Sequence, residues 1–275
     1  LPAKYGIYCY GCQWRGSIVD VASILEKKPL SGPGFIPENI RYLADRFKIE
    51  VIESEPTPEE QYRANLFYAY SEAANFIIGS KFDKRVKAAI KERKWTEDFC
   101  REHGVGTVDD EEAFKEYMRS KFTVKFLEEA GLFKKGNPSP ELRPGHLVFT
   151  IKDQKGRPVA FAARNLDWKD GDQEPKYINT KTINSNVVIY EKSKILYGLF
   201  HHIKTRISKE QPLYIVEGYP DWLAMVAGGI NNCAAIGGTA FTDKHIDLLR
   251  DYGNTFTSPK DITYILGDIT MERSE

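Results

Sequence analysis

Cysteine is scarce in this sequence, and long apolar runs are missing from it. Only 4 of the 275 residues are cysteines and 3 are methionines. The absence of a run of about 18 apolar residues argues against a transmembrane helix. The chain does not start with a charged segment followed by an apolar one, so no secretion signal is visible. Without such a signal a disulfide framework is not expected, and we predict a cytoplasmic protein.

The chain also lacks a net charge, with 39 basic and 39 acidic residues. This balance argues against a uniformly basic nucleic-acid-binding protein, although a basic patch can form within a balanced chain. Hydrophobic residues make up 41% and aromatic residues 12% of the sequence, which indicates folded cores rather than disorder. The length allows two domains, or one domain with appendages.

The first half of the chain is mostly helical in pattern. Ser17 precedes an apolar repeat and predicts a capped helix. Apolar residues at helical spacing predict a helix over 61–78, and two strongly charged helices are predicted over 84–94 and 109–120.

The second half changes to strands. Residues 147–151 and 159–163 are strand-like and flank the turn sequence Lys-Gly-Arg-Pro, which predicts a β-hairpin. From residue 213 onwards strands alternate with helices, which is typical of βαβ units with a parallel sheet. The predicted fold class is therefore α/β, with a mixed helix and hairpin region before a parallel βαβ unit.

Acidic residues and glycines follow the predicted parallel strands. Glu217 ends the first strand, Asp221 begins the next helix, Gly237 and Gly238 follow the second strand, and Asp268 follows the third. Ligands gather at the carboxyl ends of strands in open α/β sheets. Paired glycines let backbone approach a phosphate, and carboxylates suit a hard divalent metal ion. This pattern predicts metal-dependent phosphoryl transfer.

These residues resemble the Toprim segment of DnaG-type bacterial and phage primases. The similarity is carried by Glu217-Gly218-Tyr219 with Asp221, and by Gly238-Thr239-Ala240 followed by Thr242 and His245. The resemblance implies that Glu217 and Asp268 are catalytic. It also implies that Glu217, Asp221 and Asp268 hold Mg²⁺ or Mn²⁺, and that Gly238 and Thr239 contact nucleotide or nucleic acid.

Motifs upstream extend the same resemblance. The sequence Pro175-Lys176-Tyr177-Ile178-Asn179-Thr180 resembles the family's P-K-Y-x-N-[ST] motif, and the hairpin and the segment before residue 199 are also similar. Basic residues of these segments face template, nucleoside triphosphate or primer in the family. The resemblance therefore implies a nucleotide-binding or nucleic-acid-binding role for Arg164, Lys176 and Lys192.

The N-terminal pair Cys9 and Cys12 forms a C-x-x-C motif. A structural zinc site needs about four ligands, and one such motif alone is a weak signal. The surrounding residues resemble the second half of the primase zinc ribbon, so Zn²⁺ is expected only if the remaining ligands lie upstream. A thioredoxin-like redox site is the competing interpretation, but no βαβ pattern follows Cys12.

A basic run over residues 81–94 has two interpretations. It is either a nucleic-acid track or a solvated helix face, because acidic residues are interleaved with the basic ones. The run consists of Lys81, Lys84, Arg85, Lys87, Lys91, Arg93 and Lys94.

The third strand departs from the family's Asp-x-Asp pattern. If Asp268 is the second acid of the pair, Leu266 replaces the first, and if Asp268 is the first, Thr270 replaces the second. Either alignment removes one acid, so an incomplete metal site is expected.

The resemblance implies a primase catalytic core that makes RNA primers on single-stranded DNA from ribonucleoside triphosphates. A replicative helicase is an expected partner, and the expected location is the cytoplasm of a bacterium or phage-infected host. The alternatives are another Toprim enzyme, such as a nuclease or topoisomerase, and a non-catalytic nucleic-acid-binding relic. The predicted parts are a partial zinc ribbon (1–28), a primase core N-terminal subdomain (38–205) and a Toprim subdomain expected to be C-terminally truncated (206–275).

Overall fold

A computed structural model describes residues 7–8, 15–29, 35–50, 55–180, 187–201, 213–238, 241–251 and 262–265. The chain divides into two units, Leu1–Pro56 and Thr57–Glu275. The boundaries expected from the sequence near residues 28–38 and 205–206 stay predictions.

The first unit combines a short antiparallel strand pair with helices. Its elements are β1 (Ile7–Tyr8), β2 (Arg15–Gly16), α1 (Ile18–Glu26), a π-helix (Phe35–Ile40) and α2 (Arg41–Phe47). The predicted cap of α1 is confirmed, because Ser17 and Asp20 form a capping box that satisfies backbone N–H groups at the helix start.

The second unit contains further α-helices whose bounds lie within the described residues. They are α3 (Pro58–Gly79), α4 (Lys84–Glu92), α5 (Glu97–Glu102), α6 (Glu111–Arg119), α7 (Val124–Glu129), α8 (Tyr219–Ala227) and α9 (Asp243–Asp251). Helix α3 begins earlier than the apolar repeat predicts, because Thr57 and Glu60 form a capping box and Pro58 occupies the first turn. Within the described ranges, no helix has the length and apolar character needed to cross a bilayer.

An antiparallel sheet forms the centre of the second unit. Its order is β3 (Val105–Gly106), β6 (His146–Lys152), β7 (Pro158–Asn165) and β8 (Tyr177–Asn179), and a separate pair joins β4 (Phe133–Lys134) to β5 (Asn137–Pro138). The predicted hairpin is confirmed as β6 and β7. Its turn is held by Asp153, which accepts hydrogen bonds from the N–H groups of Lys155 and Arg157, both at 2.9 Å.

One face of this sheet packs on α3. Tyr70 of α3 stacks on Phe161 of β7 with ring centroids 5.6 Å apart, and its hydroxyl donates to the Ala130 carbonyl at 2.8 Å. Val148, Phe161 and the inner face of α3 belong to one buried cluster with α6 and α7. The apolar repeat of α3 therefore fixes the helix against the strand that carries Arg164.

A parallel sheet follows, as the alternating pattern predicts. Strand β9 (Leu213–Val216) lies between β10 (Cys233–Ala235) and β11 (Ile262–Ile265), and both neighbours run parallel to it. Because all three strands point the same way, their carboxyl ends meet at one edge. The predicted α/β fold class is confirmed.

The two sheets share a hydrophobic core. Phe149 of β6 and Val216 of β9 belong to the same buried cluster. Tyr197 exchanges two backbone hydrogen bonds of 2.8 Å with Ala235, so the segment before the parallel sheet is anchored to the end of β10. This anchor sets the position of the 3₁₀ turn Lys192–Lys194 near the carboxyl edge.

Candidate active site

Two carboxylates lie where strand β9 ends and helix α8 begins. Glu217 follows the last residue of β9 directly, and Gly218 is the N-cap of α8. The Gly218 N–H donates to Asp221 Oδ2 at 2.9 Å, so Asp221 closes the first turn of the helix. The short loop and this bond hold both acidic residues at the edge of the sheet.

A glycine pair forms the facing part of this edge. The Gly237 N–H donates to the Glu217 carbonyl at 2.8 Å. Gly237 has a φ of +61°, and a Cβ there would lie 2.8 Å from the Tyr219 ring. Only glycine fits this conformation and this contact without strain, so the backbone can pass directly over Tyr219.

Lys192 lies against the second glycine of the pair. A Cβ on Gly238 would lie 2.8 Å from both Cε and Nζ of Lys192. The turn that carries Lys192 is held by α9, because His245 Nε2 lies 3.2 Å from the Lys192 carbonyl and Thr242 Oγ1 donates to the Ser193 carbonyl at 3.1 Å. These bonds locate the ammonium group beside the glycine turn.

The protonation of His245 follows from its hydrogen bonds. Its Nδ1 accepts from the Thr242 N–H at 3.1 Å, so Nε2 carries the proton that is donated to the Lys192 carbonyl. Burial lowers the pKa of His245 and favours this neutral form. His245 matches the family motif in sequence, but only the structure indicates that it positions the Lys192 turn.

A basic wall faces the carboxylates. Arg164, near the end of β7, donates from Nη1 to the Tyr177 hydroxyl at 3.2 Å, and Lys176 lies 5.5 Å from the Trp168 ring centroid. The wall is tied to α8, because the Tyr219 hydroxyl donates to Asn179 Oδ1 at 3.1 Å. The antiparallel and parallel sheets thus contribute opposite sides of one site.

Arg93 is a further member of this wall, and the sequence reasoning did not single it out as a site residue. Its guanidinium donates to the Ala89 carbonyl at 2.8 Å. Burial, with repulsion from Arg164, lowers the pKa of Arg93. In the same basic run Arg85 pairs with Asp83 and Asp167, and Lys87 pairs with Glu97. The solvated-face interpretation therefore suits Arg85 and Lys87, whereas Arg93 faces the cleft.

These groups enclose one open cleft of about 600 Å³. Four basic and two acidic side chains line it, so its formal charge is positive and suits a polyphosphate. The lining residues are Arg93, Arg164, Lys176, Tyr177, Asn179, Lys192, Glu217, Gly218, Tyr219, Pro220, Asp221, Gly237 and Gly238.

Six residues expected at the site from sequence line this cleft: Arg164, Lys176, Lys192, Glu217, Asp221 and Gly238. The other four, Cys9, Cys12, Thr239 and Asp268, lie outside the described residues. Within the described ranges, no three His, Cys, Asp or Glu side chains cluster as a metal site. The roles of all ten stay predictions.

Family models match the antiparallel sheet and two of the three strands of the parallel sheet. Residues 75–203 match the model of the DNA primase catalytic core, N-terminal domain, and residues 214–261 match a Toprim-like model. The resemblance to DnaG-type DNA primases is confirmed. The boundary between the matched segments coincides with the passage from the antiparallel to the parallel sheet of this primase-like chain.

Individual DNA primases are similar over most of this chain. The DNA primase of Lactococcus lactis is 29% identical over 92% of the chain, and that of Mycolicibacterium smegmatis is 30% identical over 90%. Each alignment covers 39% of the relative. The primase-like chain therefore spans about two fifths of the length of these curated relatives.

Solved primase structures share the fold. The RNA polymerase domain of Mycobacterium tuberculosis primase DnaG aligns with a TM-score of 0.59 at 29% identity, covering 69% of this chain and 62% of that one. The Aquifex aeolicus primase, with its zinc-binding and RNA polymerase domains, aligns with a TM-score of 0.60 at 25% identity, covering 91% and 59%. A complex of the Mycobacterium tuberculosis domain with a double-stranded DNA oligomer that has a 6-nucleotide overhang aligns with a TM-score of 0.59 at 28% identity, covering 70% and 60%.

Proposed function

We propose that this chain is the catalytic core of a primase that joins ribonucleoside triphosphates into short RNA primers on a single-stranded DNA template. The observation that carries the proposal is the single cleft in which Glu217 and Asp221 face Arg164, Lys176 and Lys192. The names of the similar proteins, and the DNA bound in one of the similar structures, support it. A replicative helicase as partner, and zinc at Cys9 and Cys12, stay predictions.

The basic wall would bind the triphosphate of the incoming nucleotide. Arginine offers paired N–H donors to phosphate, and lysine offers a compact positive charge. Phosphoryl transfer depends chiefly on positioning and on electrostatic stabilisation of the charge that develops on the phosphate. The chain's part in the reaction is then to hold the α-phosphate in line with the 3′-hydroxyl of the primer, which attacks it and displaces pyrophosphate.

The acidic side of the cleft fits a divalent metal ion. Mg²⁺ commonly takes one or two protein carboxylates and completes its octahedron with water and phosphate oxygens. Glu217 and Asp221 supply such carboxylates beside the basic wall, with one Asp221 oxygen already bonded to the Gly218 N–H. We propose that these two residues, together with Asp268, hold Mg²⁺ or Mn²⁺. When bound, the ion would neutralise charge on the phosphates.

The test is primer synthesis by the protein with single-stranded DNA, Mg²⁺ and labelled ribonucleotides. Glu217→Gln keeps the size of the side chain but removes its charge, so RNA synthesis is expected to fall by a factor of at least about 100. Glu116→Gln is the matched control, because Glu116 is exposed on α6 and does not line the cleft. Its activity is expected to equal that of the wild type.

Three results would contradict the proposal. Cleavage of the DNA without RNA synthesis would favour a Toprim nuclease. Equal synthesis by the wild type and Glu217→Gln would remove Glu217 from the catalytic machinery. If the wild type binds DNA but makes no primers under any metal condition, the chain is a nucleic-acid-binding relic.

A further inference from the structure

A second cavity lies between α5, β6, α8 and the segment 197–201. Its volume is about 290 Å³, and it shares no lining residue with the catalytic cleft. Helix α8 contributes to both, since Tyr219 borders the cleft and Trp222, three residues further on, borders the cavity. The cavity is lined by Glu102, His103, Thr150, Lys152, Tyr197, Gly198, Phe200, His201 and Trp222.

Two hydroxyl groups of this lining are buried without a hydrogen-bond partner in the described part of the chain. Thr150 is 2% exposed and Tyr197 is 4% exposed, and neither Thr150 Oγ1 nor the Tyr197 hydroxyl is paired there. Burying an unpaired hydroxyl is costly, so two of them at one cavity call for polar partners. An apolar occupant would leave both unsatisfied.

Flat rings make up much of the remaining wall. The ring centroid of His103 lies 5.2 Å from that of His201 and 5.7 Å from that of Trp222, and His201 meets Trp222 edge-on at 5.5 Å. His103 Nδ1 donates to the Phe99 carbonyl at 2.8 Å, so Nε2 is the acceptor of that ring. The lining therefore combines aromatic rings with hydrogen-bond donors and acceptors.

The charges of the lining are balanced. Lys152 and Glu102 carry opposite signs, and burial lowers the pKa of His103 and favours its neutral form. Unlike the catalytic cleft, this cavity has no excess of positive charge for a polyphosphate. Its size lies at the lower end of the range for small-molecule sites.

We propose that this cavity is a binding site for a purine base, separate from the catalytic cleft. A purine is flat enough to stack on the rings, and its edge carries both donors and acceptors for the two hydroxyls and for His103. The base can belong to a free nucleoside or to a DNA strand. The proposal does not depend on primase activity, because it concerns binding at residues outside the cleft.

The test is calorimetric titration of the whole chain with adenosine and guanosine, which lack the phosphates that the cleft would attract. Saturable binding of at least one nucleoside is expected. Tyr197→Phe and Thr150→Val should each weaken binding about tenfold, since each removes one hydroxyl partner. Thermal unfolding should stay near that of the wild type, since no intramolecular hydrogen bond of the described chain is removed.

Two controls locate the site. Tyr68→Phe removes a phenol hydroxyl from an exposed position on α3 and should leave binding unchanged. Lys176→Met alters the catalytic cleft and should also leave it unchanged. Displacement of the nucleoside by a purine oligodeoxynucleotide would assign the site to a DNA base, and no displacement would assign it to a free nucleoside. The proposal is overturned if neither nucleoside binds saturably, or if binding survives both hydroxyl variants.

Discussion

Substituting alanine for Gly238 should weaken nucleotide binding without unfolding the protein. The new Cβ would lie 2.8 Å from Cε and Nζ of Lys192. These atoms are the end of a flexible side chain, so Lys192 can swing aside, and the free energy of unfolding should change by less than about 0.5 kcal/mol. A charge-assisted hydrogen bond contributes about 1.5–3 kcal/mol, of which a displaced lysine would keep part. We therefore expect about tenfold weaker triphosphate binding.

The neighbouring substitution Gly237→Ala should, in contrast, lower the free energy of unfolding substantially. Its backbone has a φ of +61°, which costs a non-glycine residue about 1–2 kcal/mol. The Cβ would also lie 2.8 Å from the ring of Tyr219, which is 5% exposed and cannot move freely. Overpacking of this kind costs about 1–3 kcal/mol. The expected loss of stability is therefore about 3 kcal/mol.

Urea denaturation measures the stability of both variants, and calorimetric titration with Mg²⁺-ATP measures their nucleotide affinity. Lys192→Met is the reference for complete loss of the ammonium group. If Gly238→Ala binds ATP as tightly as the wild type while Lys192→Met does not, the Lys192 ammonium group can bind ATP without the space that Gly238 leaves for it. Equal destabilisation by the two alanines would refute the distinction between a flexible and a fixed neighbour.

Three further predictions concern buried and half-buried side chains. Arg93→Gln should lower primer synthesis about tenfold or more, because the guanidinium faces the cleft beside another cation. The free energy of unfolding should change by less than about 1 kcal/mol. Unchanged synthesis would show that Arg93 is not part of the site. Burial lowers the pKa of His103 and His245, so the folded protein binds fewer protons than the unfolded chain. Urea denaturation should therefore show that the free energy of unfolding falls as pH drops below about 6.5. Equal stability at about pH 7.5 and about pH 5.5 would contradict this. Burial raises the pKa of Cys100 and Cys233 to about 12, so peptide mapping should find both alkylated by iodoacetamide only after unfolding; rapid labelling of the folded protein would show that they are accessible.

The strands and helices at the site could be predicted from the sequence, because local patterns determine them. The alternation of apolar strands and helices after residue 213 predicted the parallel sheet, and the turn residues between 155 and 158 predicted the hairpin. Glu217 and Gly238 could be placed at one sheet edge, since parallel strands end together. Family motifs pointed to the basic residues that the fold brings opposite them.

Contacts between segments far apart in the chain could not be predicted from local sequence patterns. Arg93 is one of several basic residues in a charged run, and the sequence does not say which of them faces a cleft built from residues far along the chain. The hydrogen bond from Tyr219 to Asn179 and the support of the Lys192 turn by His245 join segments 40 and 53 residues apart. The second cavity is likewise lined by residues from four separate parts of the chain, so no single motif predicts it.

The most direct test of the central claim is calorimetric titration of the protein with ATP in the presence and absence of Mg²⁺. The account predicts saturable ATP binding at the cleft, with an affinity that falls about tenfold in Lys176→Met. It also predicts that Mg²⁺ strengthens ATP binding to the wild type but not to Glu217→Gln. ATP binding that neither substitution alters would contradict the assignment of this cleft as the nucleotide and metal site.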